Sequence, residues 1–288
     1  MQLSGLLALF HINECLSLHL NFATMKKLKI SIITATWNSD ATLEDTLKSV
    51  LDQTYGNVEH VIIDGNSTDK TMDLVRRYAD LYRQRGFELK WLSEKDHGIY
   101  DAMNKGIKLA SGDIVGLLNS DDFYTSPTVL AKVAEVFNGE DGDQVDAVYG
   151  DIHYVNPNNL HRCVRYYSSK KFKRSRMRMG FMPAHPSFYC RREIYSEYGL
   201  FDTDFKIAAD FEQLLRLIYI HRIRTRYVPA DFVTMRTGGA SSSGLSSHKR
   251  IYREHRKAYK KNCVYSNFFL EGYRYFTKVI DICKSRIN

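Results

Sequence analysis

Asp121 and Asp122 are adjacent carboxylates that follow an apolar run at 114–118 after Asn119-Ser120. Two such charges repel one another unless a cation compensates them. A hard divalent ion with oxygen ligands, Mg²⁺ or Mn²⁺, is the natural partner, and it would also hold a diphosphate. The plainer reading is a solvated loop in which one Asp caps the helix opened by Ser126-Pro127. Three other apolar runs also end in polar groups: Thr34-Ala35-Thr36-Trp37-Asn38, Asp64-Gly65-Asn66-Ser67-Thr68-Asp69 and Glu94-Lys95-Asp96-His97-Gly98. Taken singly these are turn and cap chemistry. Four polar ends following four strands describe one edge of a sheet lined with functional groups.

The elements that must position these groups alternate. Residues 28–35 form a continuous apolar, β-branched run, as expected of a strand buried on both faces of a parallel sheet. The apolar spacing predicts a helix over 41–51, a strand over 58–63 and a helix over 71–85. A strand over 89–92, a helix over 99–109 and a strand over 114–118 complete the pattern. Repeated βα units with short connections imply a Rossmann-like, mostly parallel α/β sheet with helices on both faces. Ligands bind such sheets at the carboxyl ends of the strands. The second half is less regular. Short strands are predicted at 146–149, 153–155, 187–190 and 226–229, with a helix over 208–220. A polar basic stretch runs from 162 to 178, and a Gly/Ser segment from 237 to 244 precedes a basic helical tail.

The 288 residues carry a formal net charge of +8, which hides an asymmetry. Residues 1–151 hold 14 basic and 23 acidic side chains, whereas residues 152–288 hold 27 and 10. With 26% charged and 44% hydrophobic residues, the composition fits a folded globular chain and excludes a coiled coil, a collagen or a polytopic membrane protein. The five cysteines are scattered and never spaced as CxxC, so neither a zinc site nor a disulfide framework is expected, and a reducing, cytoplasmic setting is. Met25-Lys26-Lys27 stands just before the first convincing strand, so residues 1–24 are read as an extension or a mis-assigned start.

The run from Lys29 to Asp122 resembles the nucleotide-sugar domain of inverting family 2 glycosyltransferases. The matching residues are 31–38, 64–69, Gly98-Ile99-Tyr100-Asp101-Ala102-Met103-Asn104-Lys105-Gly106 and Asn119-Ser120-Asp121-Asp122. The likeness continues through His185-Pro186-Ser187-Phe188, Gly199-Leu200-Phe201-Asp202, Ala209-Asp210-Phe211-Glu212 and Gly238-Gly239, to about residue 245. Within the family it is most similar to bacterial enzymes of surface polysaccharide assembly, including the colanic-acid type. The resemblance implies a glycosyltransferase A-type fold and assigns roles. Thr36 and Trp37 would lie beside the nucleobase, and Asp64 would accept a hydrogen bond from it, most often from uracil. Asp96 would close over the donor with support from Asn104. Asp121 would approach the ribose and metal, and Asp122 would bind the metal. Asn119 stands where the family more often has Asp, and Trp37 replaces a more usual Tyr. Asp210 matches the catalytic carboxylate, with His185 and Glu212 as softer acceptor-side candidates.

The implied organisation is a nucleotide-sugar-binding half at 25–125, an acceptor half at 126–245 and a basic amphipathic helical tail at 246–288. The implied partners are a UDP-sugar and a saccharide or polyprenyl-diphosphate-linked acceptor. The basic half has three readings: a nucleic-acid surface, an ordinary solvated face, or an anionic membrane surface. The first lacks any helix-turn-helix, zinc-finger or RNA-binding signature. The last also explains why Phe268, Phe269, Tyr273, Tyr275 and Phe276 interleave with Arg274 and Lys278. A peripheral site on the inner face of the cell membrane, with no nucleic-acid partner, is therefore expected. Two alternatives remain at this level. One is a nucleotidyltransferase, although Thr34–Asn38 lacks the glycine of a phosphate loop; the other is a basic nucleic-acid-binding protein.

Overall fold

The computed structural model describes residues 28–238 and 244–273. The expected extension at 1–24 lies outside them. So do residues 239–243 of the Gly/Ser segment and the tail from 274, with Arg274, Tyr275, Phe276 and Lys278. Strand β1 (Ile30–Thr36) is buried along its whole length. It pairs in parallel with β2 (Val58–Asp64) on one side and β4 (Ile114–Leu117) on the other, and β3 (Glu88–Ser93) adds in parallel beyond β2. Three crossover helices join them: α1 (Leu43–Leu51), α2 (Thr71–Arg85) and α3 (Ile99–Leu109).

Because successive strand side chains point to opposite faces, β1 feeds two cores. Ile30 and Ile32 pack with Leu43, Leu47 and Val50 of α1 and Val75 and Tyr82 of α2. Ile33 packs on the other face with Met103 and Ile107 of α3. Burying each such side chain stabilises the fold by about 1.5–3 kcal/mol. The α3 contact is close at Gly106, where an added Cβ would lie 2.3 Å from Cγ2 of Ile33.

One charged residue in this core is Glu59 of β2, which is fully buried. Its carboxylate accepts hydrogen bonds from Ser31, from the Ser111 N–H at 2.8 Å and hydroxyl at 2.7 Å, and from the Lys90 ammonium at 2.6 Å. Burial alone would raise its pKa, but these four donors outweigh that and hold it down at about 2.

The remaining elements are β5 (Phe123–Tyr124), α4 (Val129–Asn138), β6 (Ala147–Asn156), β7 (Asn159–Tyr167), β8 (Phe188–Arg191), α5 (Arg192–Tyr198), α6 (Ala209–Leu214), β9 (Thr225–Arg236) and α7 (Gly244–Lys261). Among the described residues all nine strands belong to one sheet in the order β3-β2-β1-β4-β8-β6-β9-β5, with β7 pairing the later part of β6, Ile152–Asn156. Strand β8 is antiparallel between β4 and β6, while β6 and β9 run parallel. The sheet is therefore mixed but mostly parallel, with helices on both faces, as expected. It crosses the line drawn at residue 125, so both halves share one framework.

The second half differs from expectation in four places. The two short strands at 146–149 and 153–155 are one strand, β6, bent where its register with β9 shifts between Tyr149 and Asp151. The basic stretch expected to be irregular contains β7, an outer strand exposed on both faces, so no apolar alternation marks it. The strand at 226–229 extends through β9 to Arg236. The helix at 208–220 is α6 followed by a wider turn of π-helix, Leu215–Ile220.

Candidate active site

The carboxyl ends of β1, β2 and β3 lie level, with Thr36 opposite Asp64 and Asp64 opposite Ser93. Asp64 is fully buried and accepts hydrogen bonds from the Ser67 N–H at 3.0 Å, the Ser67 hydroxyl at 2.5 Å and the Ser93 hydroxyl at 2.6 Å. Those bonds fold the 64–69 turn back on its strand. Asn38, in the left-handed region at φ 47°, ties in the β1 end: its N–H donates to Ser67 and its side-chain oxygen accepts from the Thr68 N–H. Trp37 is 66% exposed. Gly65 keeps a narrow space between it and Asp96, since a Cβ there would lie 2.7 Å from Oδ2 of Asp96 and 3.4 Å from Cδ1 of Trp37. The Thr36 hydroxyl is buried with no hydrogen-bond partner. Thr36, Trp37, Asp64 and Asp96 are thus brought together at one crevice.

Asn104 has a different position from the others. Its amide donates to the Phe201 carbonyl and accepts from the Phe201 N–H, both at 2.9 Å. The residue is buried, and it fixes the 199–202 segment against α3.

Asp122 is also buried. Its Oδ2 accepts from the Asn119 amide at 2.8 Å, while its Oδ1 has no partner. Burial and the charge of Asp121 push the Asp122 carboxyl well above the ordinary range, and burial raises Asp121 too. An unpartnered buried oxygen beside a second carboxylate is what a bound cation would relieve. Among the described residues there is no group of three or more His, Cys, Asp or Glu placed to hold a metal. The protein offers two carboxylates, which suits a Mg²⁺ or Mn²⁺ ion whose other ligands are water and substrate phosphate.

Asp210 stands in the first turn of α6 and is only partly accessible. Burial raises its pKa to about 6, against the opposing pull of the Phe211 N–H and the Tyr100 hydroxyl. The Tyr100 hydroxyl lies 3.4 Å from Oδ1 and donates to the Ile207 carbonyl at 2.6 Å. A carboxylate near 6 is largely ionised at neutral pH and still basic enough to take a proton.

The acceptor-side candidates separate. His185 is buried, lies edge-on to Phe201 at 5.6 Å and is held near pKa 4 by burial, so it is a neutral packing ring behind the Phe201–Tyr100 stack. The reading of Glu212 as an acceptor ligand is corrected. It is fully buried on the far side of α6, where its carboxylate meets Arg216 at 3.2 Å, the Asn262 amide at 3.1 Å and Lys261 at 3.4 Å. Two residues along a helix face different directions, and Glu212 faces α7.

The chain matches the family model described as Glycosyl transferase family 2 over residues 31–199. It is 32% identical over 223 residues to a PGL/p-HBAD biosynthesis glycosyltransferase of Mycobacterium bovis, covering 77% of this chain and 82% of that one. The chain belongs to glycosyl transferase family 2. The fold agrees with solved glycosyltransferases. S. aureus TarS in complex with UDP-GlcNAc superposes with a TM-score of 0.60 at 22% identity, over 80% of this chain and 65% of that chain. The mannosyltransferase PcManGT from Pyrobaculum calidifontis, in complex with GDP-Man and Mn²⁺, gives 0.57 at 16% identity over 89% and 81%.

Three residues of this family 2 chain escaped the sequence reading. Arg236, at the end of β9, donates to the Asp121 carbonyl and pairs with Asp45 of α1, so it braces the carboxylate loop. Its signal was a basic residue just before the Gly/Ser segment. Glu254 of α7 accepts hydrogen bonds from the N–H groups of Lys206, Ile207 and Ala208 at 2.8–3.2 Å, ahead of Asp210. Its signal was an isolated acid in the basic tail. Tyr154 of β6, whose hydroxyl feels the Asp122 and Asp210 charges, gave none.

Proposed function

We propose that this family 2 glycosyltransferase moves a sugar from a nucleoside-diphosphate donor, a UDP-sugar, to an acceptor hydroxyl with inversion at the anomeric carbon. The observation that supports this reading is the buried Asp122 oxygen that no hydrogen bond reaches, beside Asp121, and the Asp210 carboxyl that burial raises to about 6 suits the role of base. Thr36, Trp37, Asp64, Asp96 and Asp121 line the donor side: the exposed indole offers a stacking face to the base and the unpartnered Thr36 hydroxyl a hydrogen bond. Asp210 takes the proton of the acceptor hydroxyl as the new C–O bond forms, while the bond from the anomeric carbon to the departing diphosphate oxygen breaks. Asp122 and Asp121 would hold Mg²⁺ or Mn²⁺, whose chemistry is to neutralise charge on the departing nucleoside diphosphate. Tyr100 and Glu254 keep Asp210 aimed.

The proposed acceptor is a saccharide or polyprenyl-diphosphate-linked sugar in surface polysaccharide assembly at the inner face of the membrane. Tyr265, Phe268, Phe269 and Tyr273 are all exposed, and Arg178 lies over the Tyr265 ring at 5.4 Å. Aromatic rings beside cations suit the interface of an anionic bilayer. Among the described residues no helix is long and apolar enough to cross it.

The test is a panel of nucleotide sugars incubated with the protein and Mn²⁺, read by NMR of the freshly released sugar. A β-configured sugar from an α-linked donor is expected. Release of the α-anomer contradicts inversion, and no turnover of any member contradicts the donor class.

A further inference from the structure

The strands that carry the carboxylate pair also carry a row of side chains that leads away from it. Phe123 of β5 stands opposite Thr234 of β9, so Asp122 is level with Met235. Met235 stands opposite Tyr154 of β6, and Tyr154 opposite Arg165 of β7. Directly opposed residues share a face of a sheet. Met235, Tyr154 and Arg165 therefore form one cross-strand row, about 10 Å from end to end, with Asp122 next to its Met235 end. The row starts at the proposed metal site and ends at the outer strand.

Arg165 is held for use. Its guanidinium lies over the Tyr154 ring at 5.5 Å and the Tyr167 ring at 5.7 Å. The Tyr167 hydroxyl is anchored on the Met182 carbonyl at 2.7 Å. Stacking on two rings orients the planar fork and leaves its N–H groups to an incoming group. The segment 152–192 contains ten basic residues and no acidic one. Among the described residues no carboxylate forms an ion pair with Arg165, nor with Arg162, Arg174, Arg176, Arg178 or Arg192 of the same segment, whereas Arg191 has one. Burial raises the Tyr154 hydroxyl above the ordinary tyrosine range, the Arg165 charge opposes this, and the Asp122 and Asp210 charges add to it. Tyr154 thus lies within electrostatic reach of both carboxylates.

We propose that Tyr154 and Arg165 form a subsite for a phosphate group carried by the acceptor, with Arg165 as the bidentate cation and the Tyr154 hydroxyl as a second donor. This rests on the glycosyl-transfer reading and narrows its acceptor to a phosphate-bearing one. The fork of an arginine matches phosphate oxygens, and charge-assisted bonds there are about twice as strong as neutral ones. A neutral saccharide acceptor gives an unpaired, pre-oriented arginine nothing to bind.

The test uses the full chain with UDP and Mn²⁺ filling the donor site. Glucose 1-phosphate and methyl glucoside are titrated calorimetrically into the wild type, Arg165→Gln, Arg165→Lys and Tyr154→Phe. Glucose 1-phosphate is expected to bind about tenfold more weakly to Arg165→Gln, with Arg165→Lys and Tyr154→Phe intermediate. Methyl glucoside should not distinguish the four. In a second arm, phosphatidylcholine vesicles with and without dodecyl phosphate are sedimented with the wild type and Arg165→Gln. Arg165-dependent retention by dodecyl phosphate assigns the phosphate to a lipid, and Arg165-dependence with glucose 1-phosphate alone assigns it to a soluble sugar phosphate. UDP affinity should be equal in all variants. If UDP binds normally and neither probe depends on Arg165, the subsite is overturned while the transfer reading stands. If the wild type does not bind UDP, the reading and the subsite fall together.

Discussion

Glu254 reaches Asp210 through the backbone: its carboxylate gathers the N–H groups of Lys206, Ile207 and Ala208 just before α6 starts and Asp210 follows. A tail helix thereby sets the position of the proposed base. His255, the next residue, stacks on Phe211 at 3.8 Å, so α7 holds the base from both sides of its turn. Glu254→Gln is expected to lower kcat by about 10–100-fold with the UDP-sugar KM unchanged, since small displacements of a base have effects of that size. The negative charge of Glu254 also raises the Asp210 pKa. The acidic limb of the pH–rate profile should therefore move to lower pH in Glu254→Gln. A loss of activity with no shift of that limb would leave Glu254 a purely structural cap.

For the wild type, the raised Asp210 pKa of about 6 sets the direction of the profile. The base works ionised, so kcat/KM for donor turnover should rise with pH through about 6 and level off above 7. An unperturbed carboxylate would already be level above 5.

Asp122→Asn removes the charge beside Asp121 but keeps the shape of the side chain. Mn²⁺-dependent binding of UDP should fall by about 100-fold, as expected for loss of one of two charged ligands. Binding of UDP without metal should be unchanged. Calorimetry with and without Mn²⁺ separates the two.

Glu59 makes an independent prediction about stability. Its folded pKa, about 2, lies below the ordinary value of 4.5, so its contribution is complete above 4.5 and is lost as pH falls toward 2. Glu59→Gln should destabilise the protein by about 1–3 kcal/mol at pH 7, because Lys90 and the Ser31 and Ser111 donors lose their acceptor. It should also flatten the melting temperature between pH 4.5 and 2. A variant with the wild-type acid transition would contradict this role.

The first half of the fold was legible because β1, β2 and β4 are buried on both faces and their helices show a regular apolar spacing. Helices α2 and α3 begin and end where the spacing places them. The polar ends of those strands pointed to the crevice for the same reason: parallel strands must bring them to one edge. Strand β7 was not legible because its side chains meet water on both faces, and the length of β9 was not because only its later part, at Phe232 and Val233, enters the core, without alternation. Asp210 is singled out by its motif, but the turn that precedes it is tied by Glu254, 44 positions later, and no local pattern reveals such a contact. The spacing shows Glu212 pointing away from Asp210, but not that it meets Arg216, Asn262 and Lys261 there, because those contacts come from the end of α7 and the π-helical turn.

The central claim is that Asp210 is the base of the transfer. It is tested most directly by Asp210→Asn, measured for UDP affinity and for Mn²⁺-dependent turnover of the nucleotide sugar that the wild type uses. UDP affinity should match the wild type, and turnover should fall by about 10²–10⁴-fold. Turnover at the wild-type rate with unchanged UDP affinity would contradict the claim.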